Sequence, residues 1–174
     1  DNMLKLKIKD NICSTNRKGK NYKILPEKIL DLFPEAVSDL FLEDNIDEFT
    51  QNNFEIRYDE STNRILIPVR NDKKELVGIL SRINAKEFPN KVSKYNTFIS
   101  YPPSLVLFGI DKNLQFIKNE GYAVLVEAEK SVMKAFSKNI RNVLAAGGSH
   151  LFEEQCELLI RLGIKDIIIS FDSD

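Results

Sequence analysis

The last third of the chain, Gly121 to Asp174, constrains the fold most tightly. Three short apolar runs stand there: Tyr122-Ala-Val-Leu-Val126, Val143-Leu-Ala-Ala146 and Ile167-Ile-Ile169. The first ends in Glu127, the second in Gly147-Gly148, and the third runs on through Ser170-Phe171 to Asp172-Ser-Asp174. Between them lie two segments of helical character. Alternating β and α pieces build a parallel sheet with right-handed crossovers. Ligands bind beyond the carboxyl ends of such strands. Glu127, Asp172 and Asp174 all fall at those ends.

Two crossover helices are expected. Residues 130–137 place Val132, Met133 and Phe136 on an apolar face. Residues 151–162 offer Phe152, Cys156, Leu159 and Ile160 at i, i+4, i+7, i+8, which reads as one buried stripe. Gly163 is expected as its C-cap. Gly147-Gly148-Ser149 reads as a strand-to-helix turn. It lacks the lysine pattern of a phosphate-binding loop, although a helix N-terminus there could hold phosphate. His150 is the only histidine and has no partner in sequence from which to build a catalytic pair.

Upstream the period changes. Residues 54–59 alternate as a half-buried strand does. Residues 64–70 and 76–83 read as two more strands, and the short turns between them imply an antiparallel meander. Pro68 removes a ladder donor and belongs at an edge or bulge. Residues 84–104 read mostly as loop, and 111–119 as a helix. Residues 25–49 look helical, starting at Pro26 and broken at Pro34, with a further short helix at 46–51. Leu4-Lys-Leu6-Lys-Ile8-Lys is a weak alternation that suits a lysine-blunted edge strand.

The fold class expected is therefore α/β: an α+β N-terminal part with a small antiparallel sheet, followed by a Rossmann-like parallel βαβαβ unit. The domain reading is a basic segment at 1–24, a subdomain at 25–119 and the parallel unit at 120–174, truncated at its C-terminus. The chain starts with Asp1 rather than Met, which reads as a piece of a longer protein.

The net charge of −1 hides an uneven distribution. Residues 1–23 hold seven Lys/Arg against two acids, and residues 26–60 hold eleven acids against two bases. Residues 64–118 hold ten bases against four acids. That last segment is either a basic surface for a polyanion or a set of ordinary solvated faces. Cys13 and Cys156 form no Cys-x-x-Cys, so no structural zinc site is encoded in this stretch. A reducing, cytoplasmic setting fits the sparse cysteines. No apolar run reaches transmembrane length.

Asp172 and Asp174, two residues apart on a strand end, point the same way. Left unpaired at close range, one would have a raised pKa. A hard divalent cation removes that penalty, because Mg²⁺ takes oxygen ligands alongside water and substrate phosphates. Glu127 could be a further ligand or a general acid/base. The bland alternative for Asp-Ser-Asp is a solvated turn.

The succession Val-Leu-Val-Glu127-Ala-Glu-Lys-Ser, Asn-Val-Leu-Ala-Ala-Gly-Gly-Ser149 and Ile-Ser-Phe-Asp172-Ser-Asp174 resembles a Toprim domain. Upstream, Asn63-Arg-Ile-Leu-Ile-Pro-Val-Arg70, Leu76-Val-Gly-Ile-Leu-Ser-Arg82, Ser93-Lys94-Tyr95 and Leu107-Phe-Gly-Ile-Asp111 resemble the catalytic core of DnaG-type bacterial and phage primases. The resemblance runs from about residue 25 to 174.

It implies synthesis of RNA primers on a single-stranded DNA template from ribonucleoside triphosphates, with Mg²⁺ or Mn²⁺ held at Glu127, Asp172 and Asp174. It implies template and nucleotide contacts at Arg70, Arg82, Lys94 and Tyr95. A replicative helicase partner, engaged outside this stretch, and the absence of a membrane role follow from it too. Ala128 stands where many relatives have glycine after the first acid, and Ser173 replaces the glycine of Asp-Gly-Asp. A Toprim metal-dependent nuclease and a non-catalytic single-stranded nucleic-acid-binding module are the alternatives.

Overall fold

The computed structural model describes residues 22–171 and, for residues 4–7, the backbone. These residues form two compact units. One comprises 23–69 and 75–101; the other comprises the strand at 4–7, Tyr22, 70–74 and 102–171.

The first unit is built on an antiparallel sheet of β2 (Arg57–Asp59), β3 (Arg64–Arg70), β4 (Leu76–Ile83) and β5 (Tyr95–Ile99), in that spatial order. β3 and β4 are buried along nearly their whole length because both faces are covered. On one face Leu25 and Leu30 pack with Leu66, Leu76 and Ile79. The expected first helix is a 3₁₀ turn, Glu27–Leu32, which Pro34 keeps from continuing. The chain then runs extended, with Glu35 bridging Arg57 in the sheet. Two short helices follow, α1 (Asp39–Glu43) and α2 (Glu48–Asn53). Asp47 caps the second by accepting from Thr50 N–H at 2.7 Å.

Pro68 meets its sequence-based expectation locally. β2 pairs with β3 only as far as Arg57↔Leu66, so β3 runs past its partner before Pro68. The loop expected over 84–104 contains a strand that sequence reading missed. β5 is short, exposed and at the sheet edge, and its Tyr-Asn-Thr-Phe-Ile sequence does not alternate apolar with polar residues as a half-buried strand does.

The second unit contains α3 (Ile110–Glu120), β6 (Tyr122–Val126), α4 (Glu129–Ser137), β7 (Val143–Ala145), α5 (Glu153–Arg161) and β8 (Asp166–Ile169). β6 is parallel to both β7 and β8 and lies between them. The antiparallel strand β1 (Leu4–Lys7) closes the sheet on the far side of β8, giving the order β1-β8-β6-β7. The lysine-bearing segment is thus an edge strand, as its pattern predicts.

Ile110 and Ile117 of α3 share one core with Leu125, Leu144, Leu159 and Ile167. A boundary drawn at 119/120 would cut between α3 and the strand it packs against. Fully buried side chains such as Leu144 carry the stability of this core; truncation of one to alanine costs about 2–5 kcal/mol.

Candidate active site

The crossover from β6 leads to β7 on one side, and the crossover from β7 returns past β6 to β8 on the other. The topological switch point therefore lies at the carboxyl ends of β6 and β8, where a crevice opens in sheets of this kind. Glu127 is the first residue after β6. Ser170 N–H donates to Leu125 O at 2.8 Å, so β8 leaves the sheet alongside Val126 and Glu127. Asp172 and Asp174 follow, outside the described residues.

The turn out of β6 is simple. Ala128 is the N-cap of α4 with φ −104° and ψ 142°, an extended conformation open to any residue. Ala128 therefore costs no backbone strain at this turn. Glu129 opens α4, where a carboxylate suits the helix dipole. Burial nonetheless pushes its carboxyl above the usual range. Its Oε1 lies 3.8 Å from the position a Cβ on Gly147 would occupy.

The turn out of β7 is held against Glu127. Ala146 N–H donates to Val126 O at 2.9 Å and Gly147 N–H donates to Glu127 O at 3.0 Å. Gly147 has φ +80°, a left-handed conformation that glycine adopts without a Cβ clash. The glycine pair does not lead straight into a helix, because Ser149–Phe152 intervene before α5 begins. His150 Nδ1 lies 3.2 Å from Ser149 Oγ on the exposed loop.

α5 is rotated from the expected stripe. Its buried residues are Gln155, Leu158 and Leu159, whereas Phe152 is largely exposed and Cys156 half-buried. Gln155 is fully buried. Its Oε1 accepts from Phe152 N–H at 3.1 Å, one half of a capping box. Its Nε2 faces Pro103 O at 3.1 Å and Val106 O and Ala146 O at 2.9 Å each, so two N–H groups are shared among three carbonyls.

In the first unit, Arg82, Lys94 and Tyr95 come together. Arg82 and Tyr95 are cross-strand partners in β4 and β5, and Ile83 N–H donates to Lys94 O at 2.9 Å. They differ in display. Lys94 is exposed and Tyr95 is 39% exposed, but Arg82 is only 5% exposed. Arg82 donates from Nη1 to Ile83 O at 3.0 Å, and its Nε has no hydrogen-bond partner among the described residues. Arg64 is also buried at this end, donating to Ser93 O at 2.9 Å. Arg70, the last residue of β3, belongs to the second unit, where its Nη1 donates to Lys74 O at 2.8 Å.

Carboxylate oxygen is the donor chemistry of a hard divalent cation. Glu127, set at the switch point, fits such an ion. Among the described residues no group of three His, Cys, Asp or Glu side chains gathers to hold a metal.

No family model matches the chain. Curated relatives do. The chain is 33% identical to the DNA primase of Aquifex aeolicus over 117 residues, which is 64% of this chain and 22% of that protein. It is 30% identical to the DNA primase of Halalkalibacterium halodurans over 118 residues, 68% of this chain and 19% of that one. Among solved structures, the zinc-binding and RNA polymerase domains of the Aquifex aeolicus primase superpose with a TM-score of 0.73. That match has 21% identity and covers 84% of this chain and 46% of that one.

Over about two thirds of its length the chain is similar to bacterial DNA primases, and it has the fold of a DnaG primase catalytic core. A DnaG primase catalytic domain bound to single-stranded DNA shares that fold at a TM-score of 0.67 and 13% identity, over 85% of this chain and 60% of that one. This primase-type core spans about a fifth of the length of the curated primases it matches. No helix among its described residues is long and apolar enough to cross a membrane.

Proposed function

We propose that this chain is the nucleotidyl-transfer core of a primase, joining ribonucleotides on a single-stranded DNA template in the cytoplasm during replication. The observation that carries this reading is the placement of Glu127 at the β6–β8 switch point of a primase-type fold. Glu127, Asp172 and Asp174 are the residues that would hold Mg²⁺ or Mn²⁺. The ion supplies charge neutralisation for the triphosphate and a more acidic primer hydroxyl.

The protein's own groups do the positioning. The β6 strand and the Gly147 N–H fix the backbone of Glu127, so its carboxylate starts from a rigid base. Lys94 offers an exposed charge to template phosphates. Tyr95, exposed on an edge strand, offers a ring on which a base can stack. Arg82, being buried, supports the β4–β5 end from behind, and Arg70 serves a separate contact at the other end of β3.

A Toprim nuclease would use the same strand-end acids, and one assay separates the two. The chain is incubated with single-stranded DNA, labelled ribonucleoside triphosphates and Mn²⁺. Template-dependent incorporation that disappears in Glu127→Gln supports the primase reading. Metal-dependent cleavage of the DNA without incorporation assigns the chain to the nucleases. Metal-indifferent, salt-sensitive binding with neither reaction leaves a binding module.

A further inference from the structure

We infer that Gln155 is a positioning residue for Glu127, acting through the single peptide unit that joins Ala146 to Gly147. This rests on the reading of Glu127 as a metal-holding acid.

The two ends of that peptide face opposite partners. Its carbonyl, Ala146 O, accepts from Gln155 Nε2 at 2.9 Å. Its N–H, on Gly147, donates to Glu127 O at 3.0 Å. A peptide is planar, so rotating one end rotates the other. The orientation that Gln155 imposes on the carbonyl is therefore the orientation in which the N–H meets Glu127. Glycine alone would not impose it. Gly147 is at φ +80°, and glycine has the widest choice of backbone conformations.

Gln155 is itself held on several sides. It is fully buried, and its remaining bonds tie it to Pro103 O, Val106 O and Phe152 N–H. A primary amide suits this position: it offers two donors to carbonyls and one acceptor to a helix N-terminal N–H. Leucine or methionine would fill the space and leave buried carbonyls unpaired.

Asn113 provides a matched control. It is also fully buried, and its Nδ2 donates to a carbonyl of the same β7 strand, Val143 O, at 2.8 Å. That carbonyl is three residues upstream of Ala146 and belongs to a different peptide from the one whose N–H meets Glu127 O. Losing either amide costs a buried hydrogen bond to β7; only one loss frees the Ala146–Gly147 peptide.

The test compares Gln155→Leu with Asn113→Leu, scored by amide hydrogen exchange at Gly147 and by Mn²⁺ affinity from the free-ion paramagnetic signal. Both variants should lower the melting temperature. Only Gln155→Leu should raise exchange at Gly147 at least tenfold more than at Val124, and raise the Mn²⁺ dissociation constant about tenfold. If Gln155→Leu does not fold, Gln155→Met carries the same comparison, since its flexible side chain adapts to the space.

Equal effects of the two variants overturn the proposal, and so does an unchanged Gly147 exchange. Raised exchange without a change in affinity overturns it as well. Should Glu127→Gln leave Mn²⁺ binding untouched, the metal reading of Glu127 has failed. Gly147 exchange then decides the positioning of the Glu127 backbone alone.

Discussion

The ring of Tyr101 lies on Gly78: a Cβ built on that glycine would sit 2.3 Å from Cδ1 and 2.8 Å from Cγ of the tyrosine. Gly78 is in the middle of β4, one of the two buried central strands, where a glycine is otherwise a cost in chain entropy. Its presence is explained by the close approach of the ring, and the whole residue would have to move to admit a methyl group.

Gly78→Ala is therefore expected to destabilise the first unit by about 1–3 kcal/mol, the usual cost of overpacking. Combining it with Tyr101→Leu should recover part of that loss. Denaturant unfolding of the two single variants and the double variant measures the coupling. Strict additivity would show that the ring has room to shift.

The β2–β3 turn should make stability depend on acid pH. Asp59 is buried and accepts from Ser61 N–H at 3.1 Å, from Ser61 Oγ at 2.7 Å and from Thr62 Oγ1. Those bonds, led by the Thr62 and Ser61 hydroxyls, hold its carboxyl below its ordinary value of 3.8. A depressed folded pKa means the charged form stabilises the fold. That contribution is complete above 3.8 and is lost as pH falls through the lower folded value. Asp59→Asn should thus lower the melting temperature at pH 7, and the difference from wild type should shrink below about pH 4. A difference independent of pH would remove the carboxylate from the explanation.

Single-stranded DNA affinity should respond differently to the three clustered residues of β4 and β5. Lys94→Ala should weaken binding and reduce the slope of log affinity against log salt by about 1. Tyr95→Ala should cost about 1–3 kcal/mol of affinity with little change in slope. Arg82→Ala should act mainly on folding, because removing a buried guanidinium exposes the groups packed around it. Filter binding over a salt series, with melting temperatures taken in parallel, separates the three. A Lys94 variant with unchanged affinity would remove this end of the sheet from the template path.

Much of the second unit is legible because its parallel strands are short, largely apolar and bounded by chemically distinct residues. Val132, Met133 and Phe136 of α4 were read correctly for the same reason: the face they form is apolar throughout. α5 was not, because its most deeply placed residue is polar. Gln155 turns inward to satisfy three carbonyls, and hydrophobic periodicity carries no signal for that. The only trace in sequence is a glutamine three residues after the helix boundary.

β5 escaped notice because an exposed edge strand of Tyr-Asn-Thr-Phe-Ile buries almost nothing. The apolar spacing over 25–49 predicts helix broken at Pro34, but ahead of that proline there is room only for a 3₁₀ turn. The place of Glu127 directly after β6 is legible, because the apolar run stops at it. The burial of Arg82 was not, since an arginine at the end of a strand looks like a surface charge until the neighbouring strand is in place.

Mn²⁺ binding is the most direct probe of the strand-end acids as a metal site. Titration followed by the paramagnetic signal of the free ion should show saturable binding to the wild-type chain. Glu127→Gln should weaken that binding tenfold or more, and Asp172→Ala with Asp174→Ala should abolish it, because each removes hard oxygen ligands from one ion. Binding that is the same in the wild type, Glu127→Gln and the double variant would contradict the assignment of these three carboxylates.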